Sequence, residues 1–337
     1  MSDLSQGLTT GSRVAVRSRI DPPPQAGPRL TDTVGELIAL DADSLVIRTR
    51  TGDVTLRRDL VTAAKVIPPR PVRRGAPHRA VGIDDLERAM VNAHPPLARA
   101  PLGGWLLRAA DGFTARANSA LPVGDPGLPL SDAVSAVQSW YRERGLRPAV
   151  MLPLPAGGAV GDDPLGALLL GQGWEVAPRV HVLTADSRSA LAAVAGHASP
   201  VQEWPVRRLE GISDAWLDVA ELSRPVQPRS AAVAVLGGPS DQLVLAVEDA
   251  GAIVAVARAP HHDAMTGLYS VATVPTHRRR GLARALTAHV AADADRRGVR
   301  ILHLQAEATN APALALYRSL GFEVHHDYVH LGEGATG

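Results

Sequence analysis

The chain carries one stretch whose residue types and spacing suit the binding of an anion: Val271-Ala272-Thr273-Val274-Pro275-Thr276-His277-Arg278-Arg279-Arg280-Gly281-Leu282-Ala283-Arg284. Its β-branched, apolar start reads as a strand, which Pro275 stops. Three arginines and a glycine then lead into Leu282-Ala283-Arg284-Ala285-Leu286-Thr287, an apolar pattern with helical spacing. The first amides of a helix have no partner within it, the helix dipole favours negative charge there, and Gly281 lets an anion approach the backbone. The ligand that suits such a turn is a phosphate or pyrophosphate. The chain has no cysteine, which excludes disulfides, thiolate metal sites and a thiol nucleophile.

A second block follows. Ile301-Leu302-His303-Leu304-Gln305-Ala306-Glu307 reads as a strand, Asn310 comes next, and a helix holding Ala313, Leu316 and Tyr317 ends at Gly321-Phe322. Together the two blocks resemble the GNAT acetyltransferase superfamily. The acetyl-CoA loop of that family is Gln/Arg-x-x-Gly-x-Gly/Ala, here Arg278-x-x-Gly281-x-Ala283. Its second block is a strand, an Asn, then Leu-Tyr-x-x-x-Gly-Phe with the Tyr seven residues after the Asn. The resemblance covers roughly residues 200–333, and its specific motifs lie within 271–322.

The resemblance implies the roles. Backbone groups of Val271, Ala272 and Thr273 would pair with the pantetheine arm of acetyl-CoA, the co-substrate. Amides of Arg279, Arg280, Gly281, Leu282, Ala283 and Arg284 would hold the pyrophosphate, with Arg278 and its neighbours adding charge attraction. Asn310 would bond the cofactor arm, and Tyr317 would donate a proton to the departing thiolate. With no cysteine to carry the acetyl group, direct transfer to an amine is favoured. Some family members place a glutamate five residues before the motif Asn; here that residue is Gln305, which cannot be a base. Glu307 shares its strand face and is the substitute candidate. Water relayed to the site, or His303, His261 or His262, are alternatives. His325, His326 and His330 do not have convincing metal spacing and read as surface or strand residues, so no metal is expected.

The elements that must position these residues follow from length and pattern. A chain of 337 residues with 45% hydrophobic content suits two or three domains. The net charge of +1 gives no overall pull toward nucleic acid or anionic membrane. Lys65 is the only lysine, an arginine bias that suits a GC-rich genome. The absence of an apolar run of about 18 residues excludes a membrane helix, and Met1-Ser2-Asp3-Leu4-Ser5-Gln6 lacks a signal pattern, so a cytoplasmic protein is expected.

Residues 1–70 read as a small all-β barrel, SH3-like or Sm-like: Arg13 to Arg17, Thr33 to Leu40, Leu45 to Arg50 and Val54 to Leu56 as strands, with a loop at Pro22-Pro23-Pro24 and a turn at Thr51-Gly52-Asp53. Residues 1–80 hold thirteen basic and eight acidic residues but no aromatic. Base stacking is unsupported, and docking or oligomerisation suits the barrel better than nucleic-acid binding. Pro68-Pro69-Arg70-Pro71 opens a semi-rigid linker over 71–80.

Residues 80–195 repeat the pattern of 200–333. Asn118-Ser119-Ala120-Leu121-Pro122 matches Val271 to Pro275, and Arg144-Gly145-Leu146-Arg147 matches Arg297-Gly298-Val299-Arg300, both at an offset of 153. Gly173-Trp174-Glu175-Val176 matches Gly321-Phe322-Glu323-Val324 at 148. The fold class is therefore α/β of the α+β kind, two tandem mixed-sheet GNAT copies behind a small barrel. The first copy lacks the chemistry: Asp125-Pro126-Gly127-Leu128-Pro129-Leu130 replaces the loop and Leu169 replaces Tyr317. An aspartate repels phosphate, and prolines offer no amide hydrogen. This half is expected to bind no CoA and to act as scaffold or cleft wall.

The leading expectation is an acetyl-CoA-dependent N-acetyltransferase acting on a primary amine of a small molecule or a protein. A mycothiol-synthase-like tandem enzyme and a non-catalytic acyl-CoA sensor or scaffold are the alternatives. By the family's plan, the acceptor pocket would be built near Arg224 to Gly238 and the cleft facing the first half.

Overall fold

The computed structural model describes residues 8, 10–22, 29–49, 52–66, 77–196 and 204–334. Pro23, Pro24, Arg50, Thr51, the segment Pro68 to Pro71 and the first six residues lie outside them. The chain forms two compact units, residues 1–75 and 76–337.

In the first unit, β1 (Arg13–Arg19), β2 (Leu30–Leu40), β3 (Ser44–Thr49), β4 (Gly52–Arg57) and β5 (Val61–Val66) make one antiparallel sheet in the order β4-β3-β2-β1-β5. The alternating pattern turns Val14, Val16, Leu37, Leu45 and Ile47 inward to form its core. Gly35 faces Arg48 so closely that a Cβ there would strike the β3 backbone. The fifth strand, Val61–Val66, was not anticipated from sequence; only Val61 and Ala64 of it pack against the core, so its apolar signal is weak.

The second unit begins with α1 (Pro77–Ala80), the last four residues of the expected linker, and α2 (Ile83–Met90). The hairpin β6 (Ala98–Leu102) and β7 (Trp105–Ala109), then α3 (Leu130–Arg142), β8 (Ala149–Pro155), α4 (Pro164–Gly171), β9 (Glu175–Val176), β10 (Val180–Asp186) and α5 (Ser187–Ala195) complete the first half. The second half runs β11 (Val206–Leu209), α6 (Asp214–Glu221), α7 (Arg229–Gly237), β12 (Gln242–Asp249), β13 (Ala252–His262), β14 (Met265–Thr273), α8 (Leu282–Arg296), β15 (Ile301–Glu307), α9 (Ala311–Ser319) and β16 (Glu323–Gly332).

Local signals explain these boundaries. Ser213 caps α6, its Oγ accepting from the Trp216 amide at 3.2 Å. Ala250 and Gly251 both adopt positive φ, 48° and 83°, the two-residue turn that suits the β12–β13 hairpin.

The two halves share one sheet in the order β11-β12-β13-β14-β15-β10-β16-β8, with β9 on β16. Strand β10, from the first half, lies between β15 and the start of β16, both from the second. The end of β16 lies in turn between β8 and β9 of the first half. Each half thus lends its last strand to the sheet of the other. The repeat is real in three dimensions, and its copies are interlocked rather than strung in series.

Candidate active site

Strand β14 determines the opening of the site. It pairs in parallel with β15 only over Met265–Leu268 and Ile301–Leu304. On its other side, Tyr269 pairs with Arg258 and Ala272 with Val256, so Ser270 and Val271 oppose the single residue Ala257. This is a bulge, and Ser270 sits in it at φ 52°. Beyond the bulge β14 follows β13 and parts from β15. The β15-facing edge of Val271, Ala272 and Thr273 is left without a ladder partner among the described residues.

The chain then turns through a short 3-10 segment, Pro275–His277, into the arginine loop. Arg279 and Gly281 both take left-handed conformations, φ 64° and 86°. Gly281 is the N-cap of α8, and no side chain caps that helix. The first intrahelical bond runs from the Ala285 amide to the Gly281 carbonyl, so the amides of Leu282, Ala283 and Arg284 are free for a ligand. Helices α9, α4 and α5 are capped by the side chains of Asn310, Asp163 and Asp186, while α2, α3 and α7, like α8, have no side-chain cap.

The three arginines diverge. Arg278 Nε folds back to the Thr273 carbonyl at 3.2 Å. The Arg280 guanidinium lies 4.6 Å over the Trp204 ring and does not line the cleft. Arg284 does line it; its Nη2 donates to Ser319 Oγ at 3.2 Å, while the shielded Nη1 has no partner among the described residues. A positive nitrogen placed in this way is suited to an anion.

The cleft, of about 950 Å³, is lined by Val271, Ala272, Thr273, the loop, Asn310 and Tyr317 among others, with Leu222 and Ser223 from the end of α6. Asn310 Oδ1 accepts the Ala313 amide at 3.2 Å, leaving its Nδ2 unbonded among the described residues. Tyr317 is 7% exposed. Its ring packs edge-on against Phe322 with centroids 5.7 Å apart. The Phe322 amide donates to the Tyr317 carbonyl at 3.0 Å and the Gly321 amide to Arg318 at 3.1 Å, with Gly321 left-handed at φ 81°. This Schellman cap explains the Tyr-x-x-x-Gly-Phe spacing. Burial pushes the Tyr317 phenol well up from its usual range, so at neutral pH it keeps its proton and is able to donate a hydrogen bond.

The structure separates the proposed base candidates. Gln305 and Glu307 share a face of β15, where Gln305 Nε2 lies 3.0 Å from Met90 Sδ of α2. Glu307 Oε1 accepts from Arg224 Nη2 at 3.1 Å, an exposed pair. His261 and His262 stand at the far end of β13, where His262 pairs with Met265. His303 is wholly buried, its Nε2 3.1 Å from that of His262. Neither these three histidines nor Glu307 is among the residues lining the cleft. His325, His326 and His330 are all on β16. His326 is buried against Glu87 of α2, Nε2 to Oε1 2.9 Å; this layer, contributed by the first half, was not read from sequence.

The fold is that of the GNAT acetyltransferases. A structure described as a GCN5-related N-acetyltransferase from Kribbella flavida aligns over 76% of this chain and 96% of its own, with TM-score 0.53 and 18% identity. One described as a tandem GNAT protein from the clavulanic acid biosynthesis pathway, without AcCoA, aligns over 78% and 92%, with TM-score 0.50 and 16% identity. The chain belongs to the family described as "Probable histone acetyltransferase Rv0428c C-terminal", matched over residues 81–331, with the "Rv0428c N-terminal Sm-like domain" matched over 8–65. The curated "Probable histone acetyltransferase Rv0428c" of Mycobacterium tuberculosis is 37% identical over 152 residues, which are 43% of this chain and 47% of that protein. The chain thus matches about half the length of that relative. Of the two barrel types expected, the Sm-like one is matched. Among the described residues no helix is long and apolar enough to cross a membrane.

Proposed function

We propose that this chain is an acetyl-CoA-dependent N-acetyltransferase that acylates a primary amine, of a small molecule or a protein, by direct transfer. One observation carries the reading: the uncapped start of α8, the unpaired edge of β14 and Tyr317 all open on one cleft. Left-handed Arg279 and Gly281, the free amides and the orphaned Arg284 Nη1 fit a pyrophosphate. Acetyl-CoA would supply the activated acyl group.

The chain's own residues would do the rest. Amides from Arg279 to Arg284 hold the pyrophosphate, and Val271, Ala272 and Thr273 pair with the extended arm. Asn310 Nδ2 adds a hydrogen bond to the arm. As the amine nitrogen bonds to the acyl carbon, the carbon–sulfur bond breaks and charge develops on sulfur. Tyr317 donates its O–H there. Because its pKa is raised, the phenol acts mainly by hydrogen bonding to that charge rather than by giving its proton up for good. The amine proton leaves through Glu307 or through water to solvent.

The test is calorimetric titration with acetyl-CoA, followed by an amine-library screen with thiol detection. Saturable binding at one site per chain and a Tyr317→Phe variant that binds acetyl-CoA but releases little thiol are expected. A variant that turns over like the parent would overturn the role of Tyr317, and absence of binding would overturn the reading itself.

A further inference from the structure

On the face of the sheet opposite α9, where the two halves meet, charges are buried without balance. Arg108, Arg116 and Arg258 are 1%, 5% and 0% exposed. Arg108 bonds only neutral groups, the Ser119 carbonyl at 2.9 Å, Ser119 Oγ at 3.1 Å and Met151 Sδ at 3.8 Å. Arg258 likewise bonds the Leu236 carbonyl, Gln242 Oε1 and His94 Nε2. The other buried carboxylates of the described residues, Asp186, Asp293 and Asp327, are engaged by Arg300, by Arg296 and Arg297, and by Arg179 with His181. That leaves Glu87, fully buried, as the one carboxylate for three guanidinium groups. Its Oε1 is held by His326, and its Oε2 lies 3.7 Å from Arg116 Nη1, beyond hydrogen-bond reach.

Arg116 is the least satisfied of the three. Its guanidinium stands 4.7 Å over the Tyr328 ring, and neither Nη1 nor Nη2 has a hydrogen-bond partner among the described residues. His330 Nε2 and His94 Nδ1 are shielded and unpartnered as well. Burial, with Arg116 and Arg108 close by, pushes His330 down to about 3, so it adds no charge but remains able to bond. Glu87 thus balances the Arg116 charge at a distance, but buried donors that meet no acceptor are costly until one is supplied.

The layer lies on the Glu307 side of the sheet. Glu307 and Tyr328 both pair with Val180 of β10, so they lie in one row on one face of the sheet. Tyr269 enters from β14, one residue before the bulge, with its ring 4.8 Å from that of His94. Tyr317 and α9 pack on the opposite face with Leu302, Leu304 and Ala306. An acceptor whose amine approaches Glu307 would therefore meet the charged layer.

We propose that the acceptor is an amine that also carries a carboxylate, and that the free Nη1 and Nη2 of Arg116 grip this carboxylate as a fork. The proposal rests on the acetyl-transfer reading above. Glu87 and the Tyr328 ring position Arg116, and a two-pronged guanidinium is the natural partner of a planar carboxylate. The same excess of positive charge disfavours a polycationic peptide as acceptor.

The test uses the full chain with acetyl-CoA and a panel of glycine, β-alanine, 4-aminobutyrate and 6-aminohexanoate, each against its carboxamide, with a lysine-rich histone-tail peptide alongside. For at least one length the carboxylate should exceed its amide in kcat/KM by at least about tenfold. Arg116→Gln should bring that ratio to near one through KM, with acetyl-CoA affinity unchanged, and Arg116→Lys should restore it in part. The panel on the parent protein stands even if a variant fails to fold. CoA-loaded parent should also bind the matching N-acetylated carboxylate more tightly than its amide by calorimetry. Intact acetyl-CoA binding with no carboxylate preference in turnover or binding, or with the histone peptide preferred, would overturn the proposal and leave the acetyltransferase reading standing. No acetyl-CoA binding at all would overturn both.

Discussion

The two halves of the second unit offer the same turn twice, with opposite contents. In the second half the turn ends on left-handed Gly281 and presents bare amides and arginines to a cleft. In the first half, the Gly127 amide donates to the Asp125 carboxylate at 2.8 Å, so the loop binds an anion of its own. The Gly104 amide meets the Asp125 carbonyl at 2.5 Å, and Gly103 packs onto Pro126, so the β6–β7 hairpin packs directly onto this loop. Pro129 stands at the cap of α3. What the halves retain in common is their helix stops. Trp174 bonds back to Leu169 as Phe322 does to Tyr317, and Leu146 to Tyr141 as Val299 does to Ala294, each after a left-handed glycine. Packing has kept the scaffold in both copies, while the residues suited to chemistry stand in one.

The largest effect that can break this contrast lies at Tyr317. Tyr317→Phe should lower kcat by about 10²-fold while the calorimetric affinity for acetyl-CoA stays the same. The equivalent Leu169→Met should change neither, since that side chain is wholly buried in the first-half core. Next comes Gly281→Val. A β-branched residue is strained at φ 86°, and the distorted loop should weaken acetyl-CoA binding by about tenfold or more, at about 1–3 kcal/mol. If binding survives unchanged, the nest at α8 is not the anion site.

The sequence revealed the loop and the caps because both are local. A left-handed glycine, a proline stop and an apolar residue after a helix leave signatures within six residues. Strands β14 and β15 were legible for the same reason. The exchange of β10 and the end of β16 was not, since pairing across more than a hundred residues leaves no local mark. Nor was the turn of Arg280 onto Trp204, which lies just before β11 and far from the loop in sequence. The buried layer of Arg116, Glu87 and His326 joins residues up to 239 positions apart, so the histidines of β16 read only as strand positions.

A smaller effect compares the two units. His330 is held down to about 3 against 6.5 for an ordinary histidine, and burial pushes His94 and His303 well below their usual value. The native unit refuses protons that its unfolded chain accepts, so this stability is complete above about pH 6.5 and is lost as pH falls from there toward 3. Each such group contributes at most about 1.4 kcal/mol per pH unit. Residues 1–75 contain no histidine. There, Asp32 is held low by its hydrogen bond from Arg17 and Asp41 by the amide of Asp43, so acid sensitivity should begin only below about pH 4. Calorimetric scans at pH 7.5 and 5.5 should show the second unit's melting shift downward and the barrel's hold still. A parallel shift of both would mean that the buried histidines do not set the acid limit.

The smallest expected effect tests whether the first half is silent by one residue or by its whole design. Asp125→Asn removes the charge that would repel a phosphate, yet it leaves Pro126, Pro129 and the hairpin contacts of Gly103 and Gly104 in place. Titration should therefore still find one acetyl-CoA per chain, and the hydrogen bond from the Gly127 amide, which Asn Oδ1 still accepts but without the charge, should weaken and lower stability by about 1 kcal/mol or less. A second binding event in this variant would show that a single carboxylate had been masking a second nest. The expected single event means instead that the first copy's loop is closed by its packing, and that more than charge separates the two turns.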